Sequence, residues 1–285
     1  MRLFRRFRPP ALPDGARFGD GRDVRSTLAD IVGAEVADVR ILNHHGLLSL
    51  RVDAAGHRYK VSECESEPRA ALAASALELV AAASGPVPRC VGRSRAILVT
   101  DWVEGRPCRE APQAAQAQWL LQCQLALANT PVSPDTEAGG YLHLESLASR
   151  FRRHGRVVLS GRRIEAVLGP LWEQLPPLGA PHVIHPDLTP ANVVVTENGP
   201  VVIDNEAIAV ARGREFDIWN TAEALHGRRE LAGIESYVRE FSAHLPLPSL
   251  YDYRHVWDAF RVMRQGLKAL EKRRPFKAAW MLRRL

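Results

Sequence analysis

The chain has few cysteines and no long apolar run, and both shortages exclude classes of protein. Its four cysteines, Cys64, Cys90, Cys108 and Cys123, lie far apart and form no CxxC pair, so the sequence predicts no structural zinc site. No apolar run approaches the roughly 20 residues that a membrane-spanning helix needs. Together these features indicate a cytoplasmic protein in a reducing compartment, with no stable insertion into a membrane.

Signatures of nucleic-acid binding are also missing, although the net charge is +6. The sequence has no zinc-finger spacing, no glycine-containing aromatic strand motif and no dominant block of lysine and arginine, so we expect no nucleic-acid partner. The first residues, MRLFRRFRPP, are basic and end in two prolines. They predict a basic, flexible N-terminus over residues 1–23.

The first part of the chain shows the two-residue period of β-strands. Apolar and polar residues alternate over residues 38–62, which predicts an antiparallel meander of three strands. Strong helix formers at helical spacing follow over residues 68–84. Two shorter strands are predicted next, over residues 89–92 and 96–103.

Helical periodicity dominates the rest of the chain. Its amphipathic segments predict helices over residues 113–129, 144–155, 161–175, 216–227, 231–245 and 253–274. One exception is a predicted hairpin, in which the strands 192–196 and 200–204 flank the turn 197–199. The length of 285 residues suits two lobes. We therefore expect a sheet-bearing lobe over residues 24–103 and a mainly helical lobe over residues 104–285.

The hairpin and the loop before it carry residues suited to phosphoryl transfer. The loop reads H-P-D-L-T-P-A-N over residues 185–192, and Asp204 ends the second strand. Phosphoryl transfer needs a carboxylate that accepts the proton of the attacking hydroxyl, and oxygen ligands for the Mg²⁺ that bridges the nucleotide phosphates. We predict Asp187 as the catalytic base, with Asn192 and Asp204 as magnesium ligands.

This pattern resembles the aminoglycoside phosphotransferase and choline kinase family. The family's H-x-D-x-x-x-x-N loop matches residues 185–192, and its I-D-x-E strand end matches residues 203–206. The resemblance implies a two-lobed, protein-kinase-like α+β fold, with a small antiparallel sheet in the N-lobe and a mainly helical C-lobe. It also implies a phosphotransferase that uses ATP and Mg²⁺ to phosphorylate a hydroxyl group, with Glu206 as a further metal ligand.

The same resemblance assigns roles elsewhere in the chain. Lys60 takes the place of the lysine that neutralises the nucleotide phosphates, and the backbone of Asp101 and Val103 takes the place of the segment that pairs with adenine. Gly46 is the glycine of the loop that covers the phosphates. Asp217 resembles the acidic residue that anchors the catalytic loop.

The acidic helix residue that should pair with Lys60 has no direct counterpart. Leu72 stands at the position where the family pattern has glutamate, and Glu67 and Glu78 lie on either side of it. We choose Glu67 as the expected partner of Lys60.

The charge of the C-terminal stretch bears on the acceptor. Its cations, which include Arg254, Arg261, Arg264 and Lys268, predict a solvated helix face. A polycationic aminoglycoside would need acidic residues to attract it, so we expect a neutral or anionic small molecule, a metabolite or natural product. Two alternatives stay open: a Ser/Thr kinase that acts on a peptide in natural-product maturation, and a non-catalytic kinase-like module that binds a nucleotide.

Overall fold

The chain packs as two units that do not follow its sequence order. The structure is a computed structural model that describes residues 9–43, 47–227, 230–247, 249–283 and 285. The first unit combines the chain up to residue 111 with residues 191–209, and the second combines residues 112–190 with residues 210–285. The predicted hairpin therefore packs within the first unit, whereas the predicted boundaries placed it in the helical lobe over residues 104–285.

The strands of the described residues form three sheets, and the predicted meander, the two later strands and the hairpin are all present. In chain order the strands are β1 (Val36–Asn43), β2 (Ser49–Ala54), β3 (His57–Glu63), β4 (Cys90–Ser94), β5 (Ile97–Asp101), β6 (Arg106–Pro107), β7 (His182–Ile184), β8 (Val193–Thr196), β9 (Gly199–Val202) and β10 (Ala209–Ala211). The first sheet has the order β1-β2-β3-β5-β4, the second β6-β8-β9, and β7 pairs with β10.

The helices confirm the α+β class and the helical character of the second unit. They are α1 (Val24–Val32), α2 (Glu67–Ala82), α3 (Gln113–Ala128), α4 (Leu142–His154), α5 (Gly161–Glu173), α6 (Glu215–His226), α7 (Leu231–His244), α8 (Ser249–Asp252), α9 (Arg254–Glu271) and α10 (Pro275–Leu282). The helices α1, α8 and α10 were not predicted, because each has at most nine residues. Within the described residues, no helix combines the length and apolar character needed to span a membrane.

The segment before α1 is packed against the sheet where the structure describes it. Leu12 and Phe18 are buried, and the Leu12 N–H donates to the Val39 carbonyl of β1 at 3.0 Å. The flexible terminus predicted for residues 1–23 is therefore wrong for residues 9–23, because two apolar side chains enter the core there. Asp23 then caps α1 by accepting from the Ser26 N–H at 2.9 Å.

The two faces of the first sheet carry different kinds of side chain. Leu50, Val52, Val61 and Val99 belong to one buried apolar cluster, which also contains Leu28 of α1. Because successive side chains of a strand point to opposite faces, Lys60 points away from that cluster. Its neighbours across the strands are Arg51 and Thr100. The sheet thus keeps one face for its core and presents a lysine on the other.

A close backbone approach at Gly105 attaches β6 to the hairpin. Arg106 pairs with Val195 of β8, and a Cβ at position 105 would lie 2.5 Å from the Val195 carbonyl oxygen. We expect Gly105→Ala to lower the free energy of unfolding by about 1–3 kcal/mol, because the two backbones would have to separate. Thermal melting measures the loss. Gly161→Ala is the control, since its Cβ meets nothing within 4 Å; an equal loss there would contradict this account.

Candidate active site

The hairpin brings two predicted magnesium ligands to neighbouring positions in the first unit. Val193 pairs with Val202, and the Ile203 N–H donates to the Asn192 carbonyl at 2.8 Å. The register therefore places Asn192 opposite the residue that precedes Asp204. Asn192 is buried, and Asp204 has φ 61° and ψ 48°, a left-handed conformation that aspartate tolerates better than most residues.

Lys60 and Asp204 form an ion pair. Lys60 Nζ donates to Asp204 Oδ1, and the lysine side chain is 12% exposed against 43% for the aspartate. A strand lysine and the carboxylate at the end of the hairpin thus meet in one place. Nucleotide phosphates need a cation and their counter-ion needs an oxygen ligand, so the pair suits the roles predicted for the two residues.

Glu206 lies just after Asp204, in the short 3₁₀ turn Asn205–Ala207. Its Oε2 is buried and has no hydrogen-bond partner among the described residues. Arg69 of α2 donates to the Ala207 carbonyl next to it. Burial, with the nearby Glu206 charge adding to it, raises the pKa of Cys64 to about 12, so this thiol stays protonated beside the turn.

The donor set of Asn192, Asp204 and Glu206 fits magnesium. Mg²⁺ prefers oxygen ligands and is usually held by one or two carboxylates together with substrate phosphates, and this set offers one amide and two carboxylates. The buried, unpaired Oε2 of Glu206 is the kind of atom that a cation would satisfy. No group of three or more His, Cys, Asp or Glu side chains suited to a metal occurs in the described part of the chain.

The expected partner of Lys60 on α2 is not observed. Glu67 and Glu78 are both exposed, and Lys60 pairs with Asp204 instead. Small side chains such as Ala73 and Ala76 form the buried side of α2, so the helix turns its acidic residues outward. The residue of α2 that reaches the turn after the hairpin is Arg69.

A pocket with about 390 Å³ of empty space lies beside the ion pair, and all of its lining belongs to the first unit. It is lined by Lys60, Pro88, Thr100, Asp101, Trp102, Val103, Val194, Ile203, Asp204 and Asn205. The structure thus brings together the predicted lysine, the predicted adenine-pairing segment and the predicted ligand Asp204. Gly46 lies outside the described residues.

Backbone bonds hold the segment 101–103 along this pocket. The Asp101 N–H donates to the Arg89 carbonyl at 3.0 Å, and the Trp102 N–H donates to the Arg58 carbonyl at 3.0 Å. The Asp101 carboxylate is bound by the Arg89 guanidinium at 3.0 Å. Among the described residues, none accepts a hydrogen bond from the Val103 N–H, so this donor is available to a ligand.

Asp187 belongs to the second unit, in the loop after β7. The Leu188 N–H donates to the His185 carbonyl at 3.2 Å, which tightens the loop around the aspartate, and His185 is buried beneath it. The Asp187 side chain is 52% exposed and forms an ion pair with Arg264 of α9 at 3.0 Å. Sequence patterns missed this partner, because Arg264 follows 77 residues later.

Asp217 is buried in the first turn of α6. Its carboxylate lies 2.7 Å from the His143 Nδ1, a contact that no local pattern indicated. The packing around it includes Val183 and His185, which with Asp217 line one small cavity. Its predicted role as an anchor of the catalytic loop stays a prediction.

His182, the first residue of β7, should make the protein acid-sensitive. Burial, together with nearby Arg214, lowers the pKa of His182 to about 4. The unfolded chain, whose histidine pKa is about 6.5, binds a proton first as the pH falls, so stability decreases between these two values. We expect His182→Gln to reduce this loss, which is at most about 3 kcal/mol.

Urea unfolding at pH 7 and pH 4.5 measures the effect. Exposed His244 provides the control, because His244→Gln should keep the acid sensitivity of the original chain. An unchanged pH dependence in His182→Gln would show that another group is responsible.

Comparison with known structures identifies the fold. The solved structures that share the fold include a thermostable mutant of the aminoglycoside phosphotransferase APH(4)-Ia with ADP and hygromycin B, at 17% identity and a TM-score of 0.61 over 92% of this chain and 96% of that one. They also include an aminoglycoside-3'-phosphotransferase of type VIII, at 22% identity and a TM-score of 0.56 over 80% of this chain and 94% of that one. A third is the choline kinase LicA of Streptococcus pneumoniae, at 11% identity and a TM-score of 0.61 over 92% of this chain and 98% of that one. The predicted kinase-like fold is therefore confirmed.

The sequence itself settles the family. No curated protein sequence matches the chain. Residues 49–211 match the family model described as the phosphotransferase enzyme family, and this match covers more than half of the 285 residues. It includes the lysine strand, the loop with Asp187 and the whole hairpin. The chain therefore belongs to the phosphotransferase enzyme family.

Proposed function

We propose that the protein transfers the γ-phosphoryl group of ATP to a hydroxyl group of a small molecule, with Mg²⁺ as cofactor. The observation that carries the proposal is the ion pair between Lys60 and Asp204 at the edge of a pocket lined by residues 100–103. A cation, an oxygen ligand and a free backbone donor are the parts that a nucleotide triphosphate requires from such a site.

The first unit supplies the nucleotide site. The backbone of Asp101 and Val103 pairs with adenine, for which the Val103 N–H is available. Lys60 contacts the phosphates and neutralises part of their charge. The ADP bound to the APH(4)-Ia structure and the AMP-PNP bound to another form of it support the assignment of a nucleotide to this fold.

Asn192, Asp204 and Glu206 would hold Mg²⁺, which supplies positive charge to the phosphate oxygens when it is bound. With the Asp204 carboxylate engaged as a metal ligand, Lys60 would be released to contact the nucleotide phosphates. The left-handed backbone at Asp204 fixes the direction of this side chain in advance. Such preorganisation reduces the reorganisation that the reaction would otherwise require.

Asp187 orients the acceptor and takes its proton. The oxygen of the acceptor hydroxyl forms a bond to the γ-phosphorus, the bond from that phosphorus to the β–γ bridging oxygen breaks, and ADP leaves. The hydroxyl proton passes to the Asp187 carboxylate, whose half-exposed position leaves it accessible. Positioning and charge neutralisation supply most of the catalysis in this class of reaction.

The charge of the second unit favours a neutral or anionic acceptor. The group observed next to Asp187 is the guanidinium of Arg264, which would repel an ammonium group. The net charge of the chain is +6, which attracts anions in general. The proposed acceptor is therefore a hydroxyl-bearing metabolite or natural product without a cluster of amines.

Labelled ATP tests the proposal directly. The purified protein is incubated with Mg²⁺, ATP labelled at the γ-phosphoryl group, and a panel of neutral and acidic hydroxyl compounds, peptides and aminoglycosides. We expect transfer to a small neutral or acidic compound. Transfer to peptides alone would replace the proposed acceptor class, and nucleotide binding without transfer or hydrolysis would indicate a binding module.

A further inference from the structure

Arg264 and Asn220 both donate hydrogen bonds to the loop that carries Asp187. Arg264 lies on α9, and its guanidinium donates through Nη2 to Asp187 Oδ1 at 3.0 Å and through Nη1 to Asn220 Oδ1. Asn220, on α6, donates through Nδ2 to the Pro186 carbonyl at 3.2 Å. The aspartate and the backbone just before it are thus held by two residues that contact each other. All four residues belong to the second unit.

The residues of this hydrogen-bond network differ in how deeply they are buried. Asn220 is 3% exposed, and the Arg264 side chain is 19% exposed, whereas the Asp187 side chain is 52% exposed. The guanidinium is therefore fixed on its inner side, and the carboxylate that it contacts opens to solvent. The predicted solvated helix face is wrong at this position, because Arg264 is directed at the loop.

The guanidinium has binding capacity left in this arrangement. An arginine has five N–H donors in a planar fork, and the two bonds to Asp187 and Asn220 use one donor on each terminal nitrogen. The bond to Asn220 keeps one side of the fork in place, so the other side can exchange one oxyanion for another. A carboxylate or phosphate group is the partner that such a fork recognises best.

The carboxylates on the neighbouring helices are directed at side chains other than Arg264. Glu223 and Asp258 both face Arg261, at 3.7 and 3.0 Å. Asp217 faces His143 at 2.7 Å. Arg264 instead points its guanidinium at Asp187.

We propose that Arg264 is the specificity-determining residue for an acceptor that carries an oxyanion, a carboxylate or a phosphate group, close to the hydroxyl that is phosphorylated. The inference rests on the proposed function and names the substrate class of that site. When the acceptor binds, its oxyanion replaces Asp187 on the outer side of the guanidinium, while Asn220 holds the inner side. The exchange releases the Asp187 carboxylate for the acceptor hydroxyl.

Anion binding to the protein saturated with Mg²⁺ and AMP-PNP tests the proposal without knowledge of the natural acceptor. AMP-PNP fills the γ-phosphate position, so added anions are not drawn to Lys60. Malonate, phosphate and neutral malonamide are titrated in turn, and the arginine side-chain N–H signals are followed by NMR. We expect the Arg264 signal to respond to malonate or phosphate at millimolar concentrations and not to malonamide. The anion with the lower dissociation constant indicates which oxyanion the acceptor carries.

Three variants separate a specific site from the general basic charge. Arg264→Gln should weaken binding of the preferred anion by about tenfold or more, the loss expected for a charge-assisted hydrogen-bonded contact. Arg261→Gln removes the same charge one turn earlier on α9 and should bind the anion as the original chain does. Arg264→Lys keeps the charge without the fork and should show an intermediate loss.

The outcomes distinguish this inference from the function on which it rests. Equal anion binding by the original chain and Arg264→Gln, an equal loss in Arg261→Gln, or no response of the original chain to either anion would each overturn the role of Arg264. Failure of AMP-PNP to bind, measured in the same samples before any anion is added, would instead overturn the proposed nucleotide site.

Discussion

Asp187→Asn should lower kcat by about a hundredfold to ten-thousandfold, the range typical for removal of a general base. The amide keeps the size of the side chain but cannot accept the hydroxyl proton as a carboxylate does. The affinity for ATP should not change, since the nucleotide is assigned to residues of the first unit. Steady-state kinetics with the acceptor found by labelled ATP, and calorimetry with AMP-PNP, measure the two quantities.

Stability provides the control for this variant. The Asp187 side chain is 52% exposed, and an exposed ion pair contributes at most about 1 kcal/mol, so the melting temperature should change little. A variant that melts normally, binds AMP-PNP normally and still turns over at the original rate would remove Asp187 from the mechanism.

Asp204→Asn should lower kcat/KM by roughly a hundredfold or more, because it removes a charge that acts on both the metal and Lys60. Asparagine also tolerates the left-handed conformation found at φ 61°, so the backbone of the hairpin should survive. The dependence of the rate on Mg²⁺ concentration should shift to higher concentrations. Kinetics over a magnesium series measure both effects.

Asp101→Asn is a matched control for the charge change. Asp101 also lines the pocket, but its carboxylate is bound by Arg89, and only its backbone is assigned to adenine. We expect this variant to keep its magnesium dependence and its affinity for ATP. A similar loss in both variants would mean that the negative charge of the pocket, and no particular ligand, controls the rate.

The regular parts of the fold could be predicted from sequence because they depend on local patterns. The alternation of apolar and polar residues around Lys60 predicts the meander, and the turn at residues 197–199 predicts the hairpin. The register of that hairpin then places Asn192 opposite Ile203. Long amphipathic segments such as residues 253–274 were visible for the same reason. The short helix α1 was not, since nine residues give too few turns for a periodic signal.

The pairings at the site were harder to predict because they join residues far apart in the chain. Lys60 and Asp204 are separated by 144 positions, and Arg264 and Asp187 by 77. From the sequence, Arg264 is one of many cations on a basic helix. Only the packing of that helix shows that Arg264 contacts the loop that carries Asp187. The sequence offers Glu67 and Glu78 on either side of Leu72, whereas the small buried side chains of α2 decide which way that helix faces.

The order in which the chain is made affects how the nucleotide-binding unit can form. Residues 112–190 are inserted between its two parts, and the strands that carry Asp204 come from the second part. A nascent chain that has emerged only as far as residue 111 has the strands β1 to β6 but lacks β8 and β9. Long separations of this kind slow folding, and the first unit can be completed only after residues 191–209 have been made.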